Sequence, residues 1–315
     1  MTLIDFIGIF WVTLAIGLIL WLKVFSPSSL ANSPPRHSTL SVIHLAGVFL
    51  LYIGAMILAQ AVFFAIFPHA LPGPTTAAAT TAATASAPAS QSGGEDNLIN
   101  AHLQIVASFA LFIPAALLLL LVRSNVGIHA WGFSLRLIPG ALWRGALAFF
   151  ITMPLMGGLQ VIIEYIIKSL GRKESAPHVV IQMVQNNDIP PHVKAFLVIT
   201  AVVIAPIVEE MFFRGFLQTI FIQPAKYIVG AGGTTLRFGK PSALRRWIVI
   251  IAVAAVFASI HYDFKSPNPE HLPLLFLLGV ALGYTYERTG NLWACITLHA
   301  LFNGSVLISL NFAGS

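Results

Sequence analysis

Residues 196–222 read FLVITAVVIAPIVEEMFFRGFLQTIFI, and the fold is decided by how that stretch is read. It is long enough to cross a bilayer, which takes about 20 predominantly apolar residues at a rise of ~1.5 Å each. Its strongly polar residues are Glu209, Glu210, Arg214 and Gln218. An acidic side chain near the centre of a membrane helix costs roughly 2.5 to 3.5 kcal/mol on insertion scales. Two adjacent ones therefore mark either a functional site or a paired structural network.

The rest of the chain has the same character. Of 315 residues, 17 are Lys or Arg and 11 are Asp or Glu, while 57% are hydrophobic; soluble domains carry about 25% charged residues. The composition implies an all-α fold, a polytopic transmembrane helical bundle, and so an integral, multi-pass membrane protein. Eight segments approach spanning length: about 3–25, 40–67, 99–122, 139–168, 195–222, 247–264, 272–287 and 291–311. The fourth is long, so it is expected either to tilt or to break near Pro154 and the Gly157–Gly158 pair. Between the second and third lies PGPTTAAATTAATASAPASQSGGED, residues 72–96. This low-complexity run has no aromatic residue and too little apolar bulk for a core, so it reads as a disordered loop. The chain thus divides into N-terminal helices at 1–194, carrying that loop, and a C-terminal core at 195–311. The N-terminus lacks the basic region of a signal peptide, so the first segment reads as a retained helix.

The formal charge of +6 sits in the connections between apolar runs, which argues for membrane topology and against nucleic-acid binding. The 223–246 connection holds Lys226, Arg237, Lys240, Arg245 and Arg246; 123–144 holds Arg123, Arg136 and Arg144; 23–39 holds Lys23 and Arg36; 68–98 holds no Lys or Arg. With the positive connections inside, both termini lie outside. The 169–194 connection runs against this alternation, having Arg172, Lys173 and Lys194 against Glu174 and Asp188. The one cysteine, Cys295, excludes an internal disulfide and a Cys-based zinc site, and reads as a small buried hydrophobe.

Three polar motifs fall in later spans. In EEMFFR, Glu210 and Arg214 stand i,i+4 and share a helix face, while Glu209 points about 100° away. FASIH ends on His261, and HALFN places His299 and Asn303 i,i+4. Each alone has a structural reading: an ion-pair staple, a packed histidine, a hydrogen bond to a neighbouring helix. Their combination is more specific. Counted from the inner helix ends, Glu209, His261 and His299 lie about 20, 21 and 12 Å deep at ~1.5 Å per residue, compatible with one cavity. A carboxylate and two imidazoles in such a cavity suit hydrolysis. The carboxylate can take a proton from water, and an imidazole and a carboxamide can donate to a developing oxyanion. Glu209, His261 and His299 could instead hold Zn2+ with an open position for water; the residues leave both routes open. Pro206 should kink the helix beside the glutamates. Gly279 and Gly283 predict close helix packing. Glu164 is expected to pair with Lys168 at i,i+4.

The order EExxxR, FxxxH, HxxxN resembles the CPBP family of intramembrane proteases, which includes the type II CAAX prenyl proteases and bacterial Abi proteins. The resemblance rests on Glu209, Glu210, Arg214, Phe257, His261, His299 and Asn303, within 195–311. It implies an endopeptidase in which Glu209 and His261 activate water, His299 and Asn303 stabilise the oxyanion, and Glu210 and Arg214 support Glu209. The resemblance leaves the substrate open; a site within the bilayer, expected to open toward the cytoplasm, would receive a membrane-associated or lipidated polypeptide, CAAX-type substrates among them. The family is named for metalloproteases, although metal-free water activation is also argued for relatives. The location expected is a bacterial plasma membrane. The alternative it leaves is a non-catalytic bacteriocin immunity or scaffold protein.

Overall fold

The computed structural model describes residues 3–21, 138–171, 191–222, 226–230, 233–237, 241–262 and 269–313, with short pieces within 23–34, 46–61, 132–133 and 184–189. The chain divides into two compact units, one of 1–42 with 123–315 and one of 43–122. In the smaller unit the described residues are helical and lie between 46 and 61. The expected segment at 99–122 and the loop at 72–96 lie outside the described residues.

The larger unit is built from six described helices: α1 (Leu3–Trp21), α2 (Ile138–Ser169), α3 (Pro191–Ile222), α4 (Ala243–Ile260), α5 (Leu272–Thr289) and α6 (Leu292–Ala313). Four described stretches are long and apolar enough to cross a membrane: α2, α3, α4 and Leu292–Ser309 of α6. The protein is a multi-pass membrane protein, and its described regular elements are helices apart from one hairpin. That hairpin, β1 (Lys226–Gly230) and β2 (Gly233–Arg237), is antiparallel with Lys226 opposite Arg237. It occupies the connection in which the sequence shows only charge, and its last pair is Gly230 opposite Gly233.

Local chemistry sets the helix ends. Ser242 accepts from Arg245 N at 3.2 Å and caps α4. Gly290, at φ 61°, ends α5 and returns its N–H to Tyr286 O at 2.8 Å. Asn291 Oδ1 then accepts from Trp293 N at 2.9 Å to start α6. α2 runs unbroken through Pro154, which removes the break as an alternative, as membrane helices tolerate proline when neighbours satisfy the freed backbone. Gly158 serves close packing there: a Cβ on it would stand 3.0 Å from Val12 of α1.

α3 is the central helix, and its path is irregular. It passes through π-helical turns at Thr200–Ile204 and Met211–Gln218, with ordinary α-helix between. The first turn is where Pro206 acts. In the π register Ala205 N bonds to Thr200 O, so the carbonyl of Ala201 would next receive residue 206. Proline has no N–H to give. Asn303 of α6 fills the place, its Nδ2 donating to Ala201 O at 2.8 Å. The expected kink thus takes the form of a widened turn stitched to a neighbouring helix.

Candidate active site

Glu209 and Glu210 sit at the end of the short α-helical piece between the two π turns. Their side chains diverge, as the 100° step requires. Glu210 turns into the core. It is fully buried, its Oε1 lies 3.0 Å from Arg214 Nη1, and Arg214 is fully buried as well. Arg214 donates a second bond from Nη2 to Gly279 O at 3.1 Å and lies 4.8 Å over the Phe257 ring. The same Glu210 oxygen accepts from His299 Nδ1 at 2.9 Å. A carboxylate held by an arginine therefore fixes the ring of His299 and leaves its Nε2 pointing away.

His261 is fixed in the same manner by backbone. It follows the last residue of α4, and its Nδ1 donates to Phe257 O at 2.7 Å. Both rings are thus bound through Nδ1, and both present Nε2 to one place. That place is Glu209 Oε2, 3.8 Å from His299 Nε2 and 3.9 Å from His261 Nε2. This oxygen is buried and has no hydrogen-bond partner within the protein. The three groups come from three helices and meet beside a shared aromatic. The Phe257 ring, fully buried, lies 4.7 Å from the His261 ring and 5.8 Å from that of His299.

The spacing bears on what fits between these atoms. A separation of 3.8 to 3.9 Å is too long for a direct hydrogen bond and leaves room for a water about 2.8 Å from each atom. A zinc ion suits the ring orientation, since metal-binding imidazoles commonly give their other nitrogen to a carboxylate or a carbonyl. The distances suit it less: tetrahedral ligands at about 2.0–2.1 Å stand about 3.3–3.4 Å apart. Among the described residues no group of three His, Cys, Asp or Glu side chains is drawn together enough to hold a metal ion.

The sequence-expected residues Glu209, Glu210, Arg214, His261 and His299 are thus brought together. Asn303 lies one turn beyond His299, with one amide N–H committed to Ala201 O. Glu164 stands outside the cluster, accepting from Gln160 Nε2 at 2.9 Å. Gly279 and Gly283 do pack closely, since a Cβ on Gly279 would stand 2.9 Å from Ala254 Cβ and one on Gly283 3.0 Å from Ile250. They also do more than space helices, because their carbonyls receive Arg214 and Gln218. Cys295 is buried, its Sγ 3.5 Å from Leu282 O.

A second polar cluster escapes sequence reading. Gln218, two turns along from Glu210 on the same face, donates through Nε2 to Gly283 O at 3.0 Å and Glu287 Oε1 at 3.1 Å. Glu287 in turn is ion-paired with Arg246 of α4, all three being buried. Thr219 Oγ1 bonds to Arg214 O at 2.9 Å and meets Tyr286 Oη at 3.3 Å. Glu287 reads as a turn residue and Arg246 as a connection cation until α5 and α4 are seen to reach them. The 210–214–218 spacing was the available signal.

Comparison with known proteins agrees with the motif reading. Residues 191–305 match the family model described as "Type II CAAX prenyl endopeptidase Rce1-like", so the resemblance is borne out over that segment. The chain is also 26% identical over 167 residues to the protein named "Putative membrane peptidase YdiL" of Bacillus subtilis (strain 168). That alignment covers 53% of this chain and 55% of the relative, so it spans about half of each. No solved structure matches.

Proposed function

We propose that this chain is an intramembrane endopeptidase that cleaves membrane-associated polypeptides by carboxylate-activated water. The observation that carries the reading is the meeting of Glu209 Oε2 with two imidazole Nε2 atoms at 3.8 and 3.9 Å, from three separate helices. The family match supports the reaction class. The finer expectations, about eight spans, lipidated CAAX-type substrates and a bacterial plasma membrane, belong to the same proposal.

In this reading water lies between Glu209 and the imidazoles. Glu209 takes a proton from it, and the hydroxide oxygen bonds to the carbonyl carbon of the scissile peptide. The oxyanion forms beside His299 and Asn303. Asn303 donates its second N–H, the first being held by Ala201 O, and His299, its Nδ1 turned to Glu210, presents Nε2 to the same place. His261 holds the water through Nε2, since its Nδ1 hydrogen goes to Phe257 O. Collapse of the tetrahedral species breaks the C–N bond, and Glu209 returns its proton to the departing amine. Glu210 and Arg214 form a neutral, buried pair that orients His299. A zinc ion held by Glu209, His261 and His299 would add a Lewis acid and a more acidic water.

The test compares peptide termini in membranes carrying wild type and Glu209→Gln at matched abundance. Termini present only with wild type are expected. Identical termini, with both proteins folded, would overturn proteolysis and favour the non-catalytic immunity or scaffold reading.

A further inference from the structure

Glu209 and Glu210 stand between two π turns, Thr200–Ile204 and Met211–Gln218. A π turn closes its hydrogen bond one residue later than an α turn. One residue is about 100° of helix rotation. The second turn therefore decides how Glu210, before it, and Gln218, at its end, are aimed relative to each other. Both are aimed at partners. Glu210 meets Arg214 and His299, Arg214 reaches Gly279 O, and Gln218 reaches Gly283 O. Relaxing the turn to α would swing one set off its partners. Whatever holds the turn thus acts on His299.

Thr219 holds it. In the π register the backbone N–H of Thr219 would go to Arg214 O, but it goes to Phe216 O. The hydroxyl takes the vacated role, Oγ1 donating to Arg214 O at 2.9 Å. Hydroxyls that return to their own helix ordinarily bond three or four residues back. Thr152 bonds to Ala148 O, Thr200 to Phe196 O and Thr297 to Trp293 O in that manner. The Thr219 bond spans five residues, and so fits the widened turn; in an α turn the N–H of Gln218 would occupy Arg214 O. Thr219 is buried, and Tyr286 Oη of α5, fully buried as well, meets its oxygen at 3.3 Å. A carbonyl only accepts, so the one Thr219 hydroxyl hydrogen is committed to Arg214 O and the Tyr286 hydroxyl donates between the two.

We infer that Thr219, steadied by Tyr286, is a positioning residue for the reaction: its hydroxyl keeps the second π turn, which sets Arg214 against Glu210 and through Glu210 fixes the ring of His299. The link runs from Tyr286 Oη to Thr219 Oγ1 to Arg214 O, and from the Arg214 guanidinium to Glu210 Oε1 and His299 Nδ1. It ends on the nitrogen opposite the one that meets Glu209 Oε2. The inference rests on the proteolytic reading for its catalytic consequence; the link to His299 is geometric and stands apart from it.

Four variants test it. Thr219→Val removes the hydroxyl at nearly constant shape, and Thr219→Ser keeps it. Tyr286→Phe removes the donor to it. Thr152→Val removes an ordinary four-residue bond on α2 and is the control. The full-length protein, isotopically labelled at its histidine nitrogens, is placed in lipid nanodiscs, and His299 is assigned by the signals lost in His299→Gln. The His299 Nδ1 resonance should move in Thr219→Val, move less in Tyr286→Phe, and stay in place in Thr219→Ser and Thr152→Val. Because a misplacement of ~1 Å can cost up to about 10² in rate, wild-type-specific termini should appear about tenfold more slowly with Thr219→Val and within about twofold of wild type with Thr219→Ser. An unmoved resonance in folded Thr219→Val would overturn the inference, as would an equal movement in Thr219→Ser or Thr152→Val. If Thr219→Val does not fold, Tyr286→Phe decides, an unmoved resonance there overturning the inference. Movement with cleavage at the wild-type rate would overturn the positioning role. Movement as expected with no wild-type-specific termini at all would overturn proteolysis alone and uphold the link to His299.

Discussion

Asn303 and Pro206 should be energetically coupled although neither side chain need touch the other. Pro206 withholds the N–H that the π turn would give to Ala201 O, and Asn303 Nδ2 supplies the substitute at 2.8 Å. Asn303→Ala removes that donor. Hydrogen bonds between membrane helices average about 0.6 kcal/mol with a maximum near 1.7, and an acceptor left unsatisfied when buried costs about 1–3. Asn303 and Ala201 are only partly buried, so a loss of about 1 kcal/mol is expected, at the low end of the second range. Pro206→Ala returns a backbone N–H to this stretch. In that background Asn303→Ala should cost less, with a coupling of about 0.5–1 kcal/mol across the double-mutant cycle. Unfolding of the four proteins in one detergent gives the cycle. Equal losses in both backgrounds would refute the account of the π turn. Activity reads a different role: the double variant should regain stability and remain impaired in cleavage, because its oxyanion donor is gone. Recovery of cleavage together with stability would show that Asn303 acts only through the backbone of α3.

Other outcomes follow from the same geometry. Glu209→Gln keeps the shape and removes the base, so cleavage should fall by about 10²–10⁴ with unfolding unchanged; an active variant would sink the mechanism. Glu210→Ala leaves Arg214 buried without its carboxylate and should cost about 3–5 kcal/mol, read by thermal unfolding. Arg246→Ala or Glu287→Ala alone should be similarly harmful, whereas joint replacement by Met and Leu should be far milder, because a buried pair roughly breaks even against apolar packing. Gly279→Ala drives a Cβ to 2.9 Å from Ala254 Cβ and should destabilise by about 1–3 kcal/mol, while Gly17→Ala, with nothing within 4 Å, should not. Treatment with a zinc chelator should leave cleavage intact; a loss restored by added zinc would put the metal into the mechanism.

How far the sequence went depended on whether a residue's partner lay on its own helix. Glu210 with Arg214 needed only the helical repeat, and the apolar runs needed only their length. The meeting of Glu209, His261 and His299 had to be argued from depth along separate helices, and that argument succeeded because each motif sits in a span whose ends are marked by charge. It failed for Glu287 and Arg246, which lie in the outermost turns of α5 and α4. There a charged residue looks like an ordinary connection residue, and only the interhelical contact reveals it as core.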